Sequence, residues 1–359
     1  MSDYPDRAAP QRGQQPFQQT LETRTITYPL PPPDFALLTA SPSELLQYGI
    51  MPRPDPAVQR ELYAHWLRIF APPMGFVEPQ PVEVRADWQL NVNVTNQATL
   101  AVETSRCAKS SNWSGAFVVP TNDTMFVLVG GIWIIPMVQL PPPAFIEAGE
   151  DQYVCSTWVG LDGQRRYLNS SLPQIGTMQT LSLTGGGSPA ASALAFFQWW
   201  DRQNGGTFLQ LNGLPVQPGD VMIGAVWAAT PTLAIGYLAN ISTNQLAVVG
   251  LTSPTVIFEG SAVTLTISGA TAEWILERPT KFHSTDLYAF PDYGTMSFSS
   301  CWAGAAPPAG SPISYRDVQP ARFIRMYDTL HDPTRTVFIS MAERQSDTSV
   351  YLEYGDFKV

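Results

Sequence analysis

The three histidines, His65, His283 and His331, are the first side chains to consider for catalysis. None of them lies in an HExxH motif or in zinc-finger spacing, so the sequence predicts no zinc site built from protein ligands. The Gly-rich stretch TGGGSP at 184–189 is not followed by Gly-Lys-Ser/Thr, and no serine lies in a GxSxG motif. The sequence therefore argues against P-loop phosphate binding and against hydrolase-type serine catalysis.

Four short segments contain the remaining candidates. They read SNWSG at 111–115, STWVGLDG at 156–163, LPQIG at 172–176 and AEWILE at 272–277. FFQWW at 196–200, PGD at 218–220 and LYAFPDYGTMSF at 287–298 accompany them. In this order the segments resemble the eqolisin family of glutamic peptidases, from about Cys107 to the end of the chain. The segment at 48–66, YGIMPRPDPAVQRELYAHW, also resembles the N-terminal part of prokaryote-type members.

The resemblance implies an all-β fold, an antiparallel, concanavalin-like β-sandwich of two packed sheets, and an endopeptidase that acts at acid pH. It implies a catalytic dyad: the Gln of the family's Q-x-G motif corresponds to Gln174, and the last Glu of its AEW-x-x-E motif corresponds to Glu277. It implies no metal or organic cofactor. The positions that line the family's substrate groove correspond to Trp113, Trp158, Asp162, Phe196, Gln198 and Trp200.

One Glu and one amide can supply what peptide hydrolysis needs, namely a base for the water, an acid for the leaving nitrogen and a donor for the oxyanion. Glu277 as a carboxylate would take the proton of the water and return it to the amine. The Gln174 amide group would stabilise the oxyanion, and its carbonyl would orient the water. Outside the motif context, Gln174 is a surface or turn amide and Glu277 a strand-end residue in a solvated ion pair with Arg278.

Strand alternation agrees with the proposed groove. Trp158 and Asp162 fall on one face of their strand, and Phe196, Gln198 and Trp200 fall on one face of theirs. Two departures from the family pattern place the pH optimum and the substrate contacts in question: Gln198 replaces a groove Glu of the family's WYEWY segment, and Met178 replaces an Asp four residues after the dyad Gln. A weakly active or inactive homologue that binds peptide or glycan is the alternative.

Glu273 and Glu277 also have the spacing of the two acids in glucanases built on a lectin-like sandwich. Such enzymes place an Asp between the acids, where this chain has Ile275. An unbulged strand separates residues i and i+4 by about 13 Å, whereas a retaining pair needs roughly 5 Å. The glycosidase hypothesis is therefore disfavoured, and Glu273 is interpreted as a groove-edge or structural carboxylate.

Composition limits the partners. The 359 residues are 44% hydrophobic and only 14% charged, with a formal net charge of −10, so we expect no nucleic-acid partner and no attraction to an anionic membrane. The apolar run from Met125 to Val138 is too short to span a bilayer, and Gly130-Gly131 within it predicts a tight hairpin between two buried strands. We expect a monomer that acts on a polypeptide substrate.

The chain divides into three parts by composition. Residues 1–35 predict a disordered Pro-rich tail, residues 36–85 a helical N-terminal extension or pro-segment, and residues 86–359 the β-sandwich peptidase domain. Ser41 to Glu44 form a capping box for a short helix, and Asp55-Pro56 begins a second, amphipathic helix that ends at Pro72-Pro73. The first residues lack the apolar segment of a secretory signal, although the resemblance implies secretion, so the location stays open.

Overall fold

Strands dominate this computed structural model, which describes residues 24–84, 107–121, 124–163, 171–183, 188–201, 206–258, 261–281, 286–307, 312–329 and 336–358. The strands are β1 Thr25–Thr27, β2 Gly75–Val77, β3 Pro81–Glu83, β4 Cys107–Ser110, β5 Trp113–Val118, β6 Met125–Ile134, β7 Gln152–Leu161, β8 Leu172–Ser182, β9 Ala190–Trp200, β10 Thr207–Leu211, β11 Val221–Thr230, β12 Leu233–Asn240, β13 Gln245–Thr252, β14 Thr255–Phe258, β15 Ser261–Thr264, β16 Ala272–Glu277, β17 Thr295–Ala306, β18 Ser314–Arg316, β19 Arg322–Asp328, β20 Val337–Ser346 and β21 Ser349–Lys358. The helices are α1 Pro42–Gln47 and α2 Arg60–Phe70, with a 3₁₀ turn at Pro143–Phe145.

The strands form two layers, which confirms the predicted all-β sandwich. The front sheet has the order β3-β10-β9-β8-β7-β16-β5-β19-β20-β21, with β4 parallel to β19. The back sheet has the order β1-β13-β12-β11-β6-β17-β18, with β2 parallel to β13. Strand β17 connects the layers, because its first residues pair with β21 and its later residues pair with β6. All other strand pairs of these sheets are antiparallel.

The principal core lies between the two layers. Ile175, Phe197 and Trp274 of the front sheet pack with residues such as Val226 and Leu238 of the back sheet. The indole Nε1 of Trp274 donates to the carbonyl of Gly130 at 2.9 Å, so a polar contact also joins the layers. This core fixes the front sheet, whose other face carries the candidate site.

The prediction of a hairpin at Gly130-Gly131 is wrong. Both glycines lie inside the continuous strand β6. A Cβ at Gly130 would lie 2.4 Å from the ring of Trp302, and a Cβ at Gly131 would lie 3.0 Å from the ring of Trp274. The two glycines therefore make room for one large indole on each face of the strand, which is a packing role and not a turn.

The N-terminal extension covers the outer face of the back sheet. Ser41 and Glu44 form the predicted capping box of α1. Trp66 of α2 is fully buried, and Phe70 meets Tyr237 of the back sheet edge-to-face at 5.0 Å. Helix α2 begins at Arg60, later than Asp55-Pro56 predicts, because the side chain of Asp55 accepts the backbone N–H of Ala57 in a separate turn. Helices α1 and α2 thus pack on the back sheet, whereas β3, near the end of the extension, pairs with β10 at the edge of the front sheet.

Strand β1 lies within the segment for which composition predicts a disordered tail. Thr25–Thr27 pairs with Leu251 to Val249 of β13 at the edge of the back sheet, so this short piece is ordered. Residues 1–23 lie outside the described part of the chain. The division into tail, extension and peptidase domain otherwise stays a prediction.

Two further features of the described residues are the length of their helices and the state of their cysteines. No helix among them is long and apolar enough to cross a membrane. None of Cys107, Cys155 and Cys301 forms a disulfide, and the latter two are buried. No disulfide therefore contributes to the stability of the fold, which rests on its cores.

Candidate active site

The outer face of the front sheet brings together Gln174, Glu277 and the predicted aromatic residues. Strand register arranges their side chains in three rows, because residues directly opposite in antiparallel strands share a face. Crossing β9, β8, β7, β16 and β5 in turn, the first row contains Gln198, Gln174, Gly160, Glu273 and Phe117, the second contains Phe196, Gly176, Trp158, Ile275 and Gly115, and the third contains Leu194, Met178, Ser156, Glu277 and Trp113.

Gln174 is held from the β9 side. Its Nε2 donates to Oε1 of Gln198 at 2.7 Å, so the residue that replaces a family Glu contacts the proposed dyad amide directly. The Oε1 of Gln174 is buried and has no hydrogen-bond partner. On its other side lies Gly160, where a Cβ would come within 3.1 Å of the Cβ of Gln174. Only a glycine fits here, because a Cβ would also lie 2.9 Å from Cδ1 of Leu172.

Glu277 is held by the indole of Trp158. Nε1 of Trp158 donates to Oε2 of Glu277 at 2.8 Å, and Trp113 packs edge-to-face on Trp158 at 5.1 Å. Oε1 of Glu277 is buried without a hydrogen-bond partner. Burial raises the pKa of Glu277 to about 8, and the indoles of Trp158 and Trp113 oppose this rise. Glu277 is thus protonated at acid pH in this arrangement, and the Nε1 of Trp113 is a second donor, besides that of Trp158, near its carboxyl group.

Gln174 and Glu277, which the sequence predicts to form a dyad, lie on a diagonal of the sheet. Gln174 is opposite Gly160 of β7, whereas Glu277 is opposite Ser156, four residues away on the same strand. With strands about 4.8 Å apart and about 3.3 Å per residue, a flat sheet places their Cα atoms roughly 16 Å apart. The two long side chains span only part of this distance, so strand register alone does not bring them into contact.

Glu273 was interpreted from the sequence as a groove-edge or structural carboxylate, and the structure places it directly across Gly160 from Gln174. It is fully buried, its Oε1 accepts from the hydroxyl of Thr271 at 2.8 Å, and its Oε2 has no hydrogen-bond partner. Burial, followed by the proximity of Asp162 and Glu277, raises the pKa of Glu273 well above its usual range. The sequence gives the type of this residue but not the register that brings it opposite Gln174.

Asp162 was predicted to line the groove, and in the structure it orders the loop that precedes β16. One carboxylate oxygen accepts the backbone N–H of Ser268 at 2.6 Å, and the other accepts the Ser268 hydroxyl and the backbone N–H of Ala270. Burial raises the pKa of Asp162, while these hydrogen bonds lower it. Both oxygens are therefore engaged in holding residues 268–270.

The predicted aromatic walls form one apolar cluster with the site. Phe196 stacks on Phe208 at 5.1 Å, and Trp200 belongs to the same cluster. The side chains of Trp113, Trp158 and Phe196 have no exposed surface, nor do those of Gln174, Gln198 and Glu277. These residues of the candidate site are therefore closed to solvent in this structure.

Arg278 does not form the solvated ion pair with Glu277 that the sequence suggests outside the motif context. Its guanidinium bonds to the carboxylates of Glu147 and Asp328 and to the carbonyl of Tyr288. The backbone N–H of Arg278 donates to the carbonyl of Asn112 at 2.7 Å. These contacts fix the end of β16 and leave Glu277 free of a basic partner. Among the described residues, no group of three or more His, Cys, Asp or Glu side chains is placed to hold a metal ion.

Comparisons with known proteins were made on the sequence and on the fold. The model of a family described as the Peptidase A4 family matches residues 111–349. No curated protein sequence matches the chain. A solved structure of scytalido-glutamic peptidase with a transition state analog inhibitor is 16% identical with a TM-score of 0.49, covering 68% of this chain and 98% of that one. SCP-B, an eqolisin family member in complex with the tripeptide Ala-Ile-His, is 16% identical with a TM-score of 0.46 and the same coverage. Aspergilloglutamic peptidase from Aspergillus niger is 20% identical with a TM-score of 0.39, covering 56% and 99%.

Proposed function

The chain belongs to the peptidase A4 family, the eqolisin family of glutamic endopeptidases, and we propose that it hydrolyses polypeptides at acid pH with Gln174 and Glu277 as its catalytic dyad. The family membership rests on a match over two thirds of the chain. The dyad, the acid action and the groove residues are the proposal.

The observation that carries the proposal is a pair of buried, unpartnered oxygens on one face of the front sheet. Oε1 of Gln174 and Oε1 of Glu277 both lack hydrogen-bond partners, and an aromatic cluster that includes Trp113, Trp158 and Phe196 lies on the same face. Leaving a buried polar atom unpaired costs about 1–3 kcal/mol. Two such oxygens beside aromatic side chains support a role in accepting hydrogen bonds from a donor that enters from outside, such as the attacking water.

The protonation of Glu277 decides its role. Its pKa of about 8 belongs to the buried arrangement, in which Glu277 carries a proton at acid pH. Contact of Oε1 with water and substrate relieves the desolvation that raises this pKa, and the hydrogen bond from Trp158 favours the carboxylate. We therefore propose that opening of the groove generates the base form of Glu277.

In the hydrolysis step, the Glu277 carboxylate takes a proton from the water as the oxygen attacks the scissile carbonyl carbon. One N–H of the Gln174 amide is bound to Gln198, and its second N–H is available for the oxyanion. Glu277 then returns the proton to the leaving nitrogen, and the C–N bond breaks without a covalent enzyme intermediate. The diagonal separation of Gln174 and Glu277 suits these two roles, proton transfer by Glu277 and oxyanion stabilisation by Gln174. In this proposal the peptide group and the water lie between the two side chains.

Trp113, Trp158, Phe196 and Trp200 are proposed to bind the substrate by apolar contact once the face is open. Gln198 is proposed to act through Gln174, whose amide it orients. Asp162 is proposed to contribute by ordering the loop at 268–270, which follows from its three hydrogen bonds.

Mass spectrometry of peptides released from an unfolded protein substrate, from about pH 2 to 7, tests this function. Gln174→Ala should lower kcat/KM by roughly 10²–10³-fold through loss of the oxyanion donor. Glu277→Gln should lower it by roughly 10²–10⁴-fold through loss of the base. Glu343→Gln is the matched control, because Glu343 lies on β20 with an exposed side chain.

Acid-dependent cleavage that the control retains and both dyad variants lose would support the proposal. Folded wild-type protein that cleaves no substrate at any pH would contradict it and favour binding of peptide without hydrolysis. Full activity of Glu277→Gln would refute the assignment of the base.

A further inference from the structure

We infer that Glu273 is a positioning residue for Gln174: its protonated carboxyl donates a hydrogen bond from Oε2 toward Oε1 of Gln174, and this bond is lost when Glu273 ionises. The inference rests on the proposed function of Gln174 and adds a second proton-dependent group to the site.

The first step of the argument is register. Gln174 and Glu273 occupy one row of the front sheet with Gly160 alone between them. Their Cα atoms are two strand spacings apart, roughly 10 Å, and both side chains are long enough to extend over the glycine. A side chain at position 160 would collide with its neighbours, since its Cβ would lie 2.9 Å from Cδ1 of Leu172 and 3.1 Å from the Cβ of Gln174.

The second step is the matching of free atoms. Oε1 of Gln174 and Oε2 of Glu273 are both buried and without hydrogen-bond partners. The opposite end of each side chain is already occupied, by Gln198 for Gln174 and by Thr271 for Glu273. An amide oxygen can only accept, so a carboxyl oxygen complements it only when it carries the proton. Protonated Glu273 is therefore the matching donor for one lone pair of this oxygen, and the second lone pair remains for the water of the proposed reaction.

The third step is the electrostatic surroundings. Burial raises the pKa of Glu273 well above the usual range. The negative charges of the nearby Asp162 and Glu277 raise it further. The neighbouring position on β5 is Phe117, which does not titrate, and Arg322 of β19 follows it in the same row with an exposed side chain. When Glu277 is a carboxylate, its negative charge favours the protonated form of Glu273, so the charged base and the neutral positioning acid are compatible.

The consequence is that Glu273 sets the alkaline limit of activity. With Gln198 on one side and Glu273 on the other, the amide plane of Gln174 is fixed and its second N–H is directed to the substrate. Ionisation of Glu273 removes the donor and places a negative charge beside the amide oxygen. Activity then falls although Glu277 remains competent as a base.

The test compares the kcat/KM–pH profiles of wild type, Glu273→Gln and Glu273→Ala, with Glu277→Gln measured in parallel. Glu273→Gln keeps the shape and gains a donor that needs no proton, so it should stay within about threefold of wild type at acid pH and remain active above the wild-type alkaline limit. Glu273→Ala should fall about tenfold at all pH values because the donor is gone. Urea unfolding midpoints establish that the variants are folded.

If folded Glu273→Gln loses activity at the same alkaline pH as wild type, the inference is overturned. It is also overturned if Glu273→Gln loses as much kcat/KM as Glu277→Gln does, since Glu273 would then react with the substrate. Failure of the dyad itself appears differently. In that case wild type is inactive, or Glu277→Gln is fully active, whatever Glu273→Gln does.

Discussion

Replacing Glu277 with Gln removes a buried carboxyl and should change how the free energy of unfolding depends on pH. The pKa of Glu277 rises from 4.5 to about 8 on folding. Between these values the folded chain keeps the proton and the unfolded chain has lost it. The stabilisation of the folded state is therefore complete below pH 4.5 and is lost as the pH rises toward 8.

The size of this effect follows from the shift. At 1.36 kcal/mol per pKa unit, Glu277 accounts for about 5 kcal/mol once both states are ionised, and about 4 kcal/mol of this loss falls between pH 4 and pH 8. Glu277→Gln keeps a neutral side chain of similar shape at every pH. Between pH 4 and pH 8, the free energy of unfolding of wild type should therefore fall by about 4 kcal/mol more than that of the variant.

Urea unfolding followed by fluorescence of the 10 tryptophans measures the effect. The urea midpoint of unfolding is measured for wild type and for the variant at pH 4 and at pH 8. The difference between the two midpoints should change by more than about 1 M from one pH to the other. Glu343→Gln, with its exposed side chain, should follow wild type. Parallel pH dependence of wild type and Glu277→Gln would show that Glu277 is ionised in the fold and would refute the reasoning.

Three further predictions concern the contacts around the site and the core. Trp158→Phe removes the hydrogen bond to Glu277, so the pKa of Glu277 should rise further and the acid limb of the kcat/KM–pH profile should move to higher pH; an unmoved limb would contradict the contact. Trp66→Ala should lower the free energy of unfolding by about 3–5 kcal/mol, whereas Leu46→Ala, at a 43% exposed position, should have little effect in the same urea titration. Gly176→Ala should cost about 1–3 kcal/mol in thermal or urea unfolding, because its Cβ would lie 2.1 Å from the carbonyl of Thr157; wild-type stability would show that the strands can separate there.

The elements of the fold could largely be predicted from the sequence, because alternation and capping are local signals. The capping box of α1 and the apolar face of α2 are confirmed in the structure. Gly130-Gly131 misled the analysis, since glycine marks both turns and close packing, and only the position of Trp302 and Trp274 distinguishes the two.

The relative placement of the site residues could not be predicted, because strand register depends on contacts between distant segments. The motifs identify Gln174 and Glu277, yet the structure aligns Gln174 with Glu273 and places Glu277 on the diagonal. The sequence likewise gives no sign that Gln198 bonds to Gln174 or that Asp162 bonds to Ser268. These contacts join residues that are 24 and 106 positions apart.

The central claim is that Gln174 and Glu277 act together in hydrolysis. A double-mutant cycle of Gln174→Ala and Glu277→Gln tests it most directly. The kcat/KM of each variant is measured on one peptide at the acid pH of maximal activity. If the two residues act as a unit in one hydrolysis step, the double variant should be no slower than the slower single variant. Losses that multiply, or a Glu277→Gln variant as active as wild type, would contradict the account.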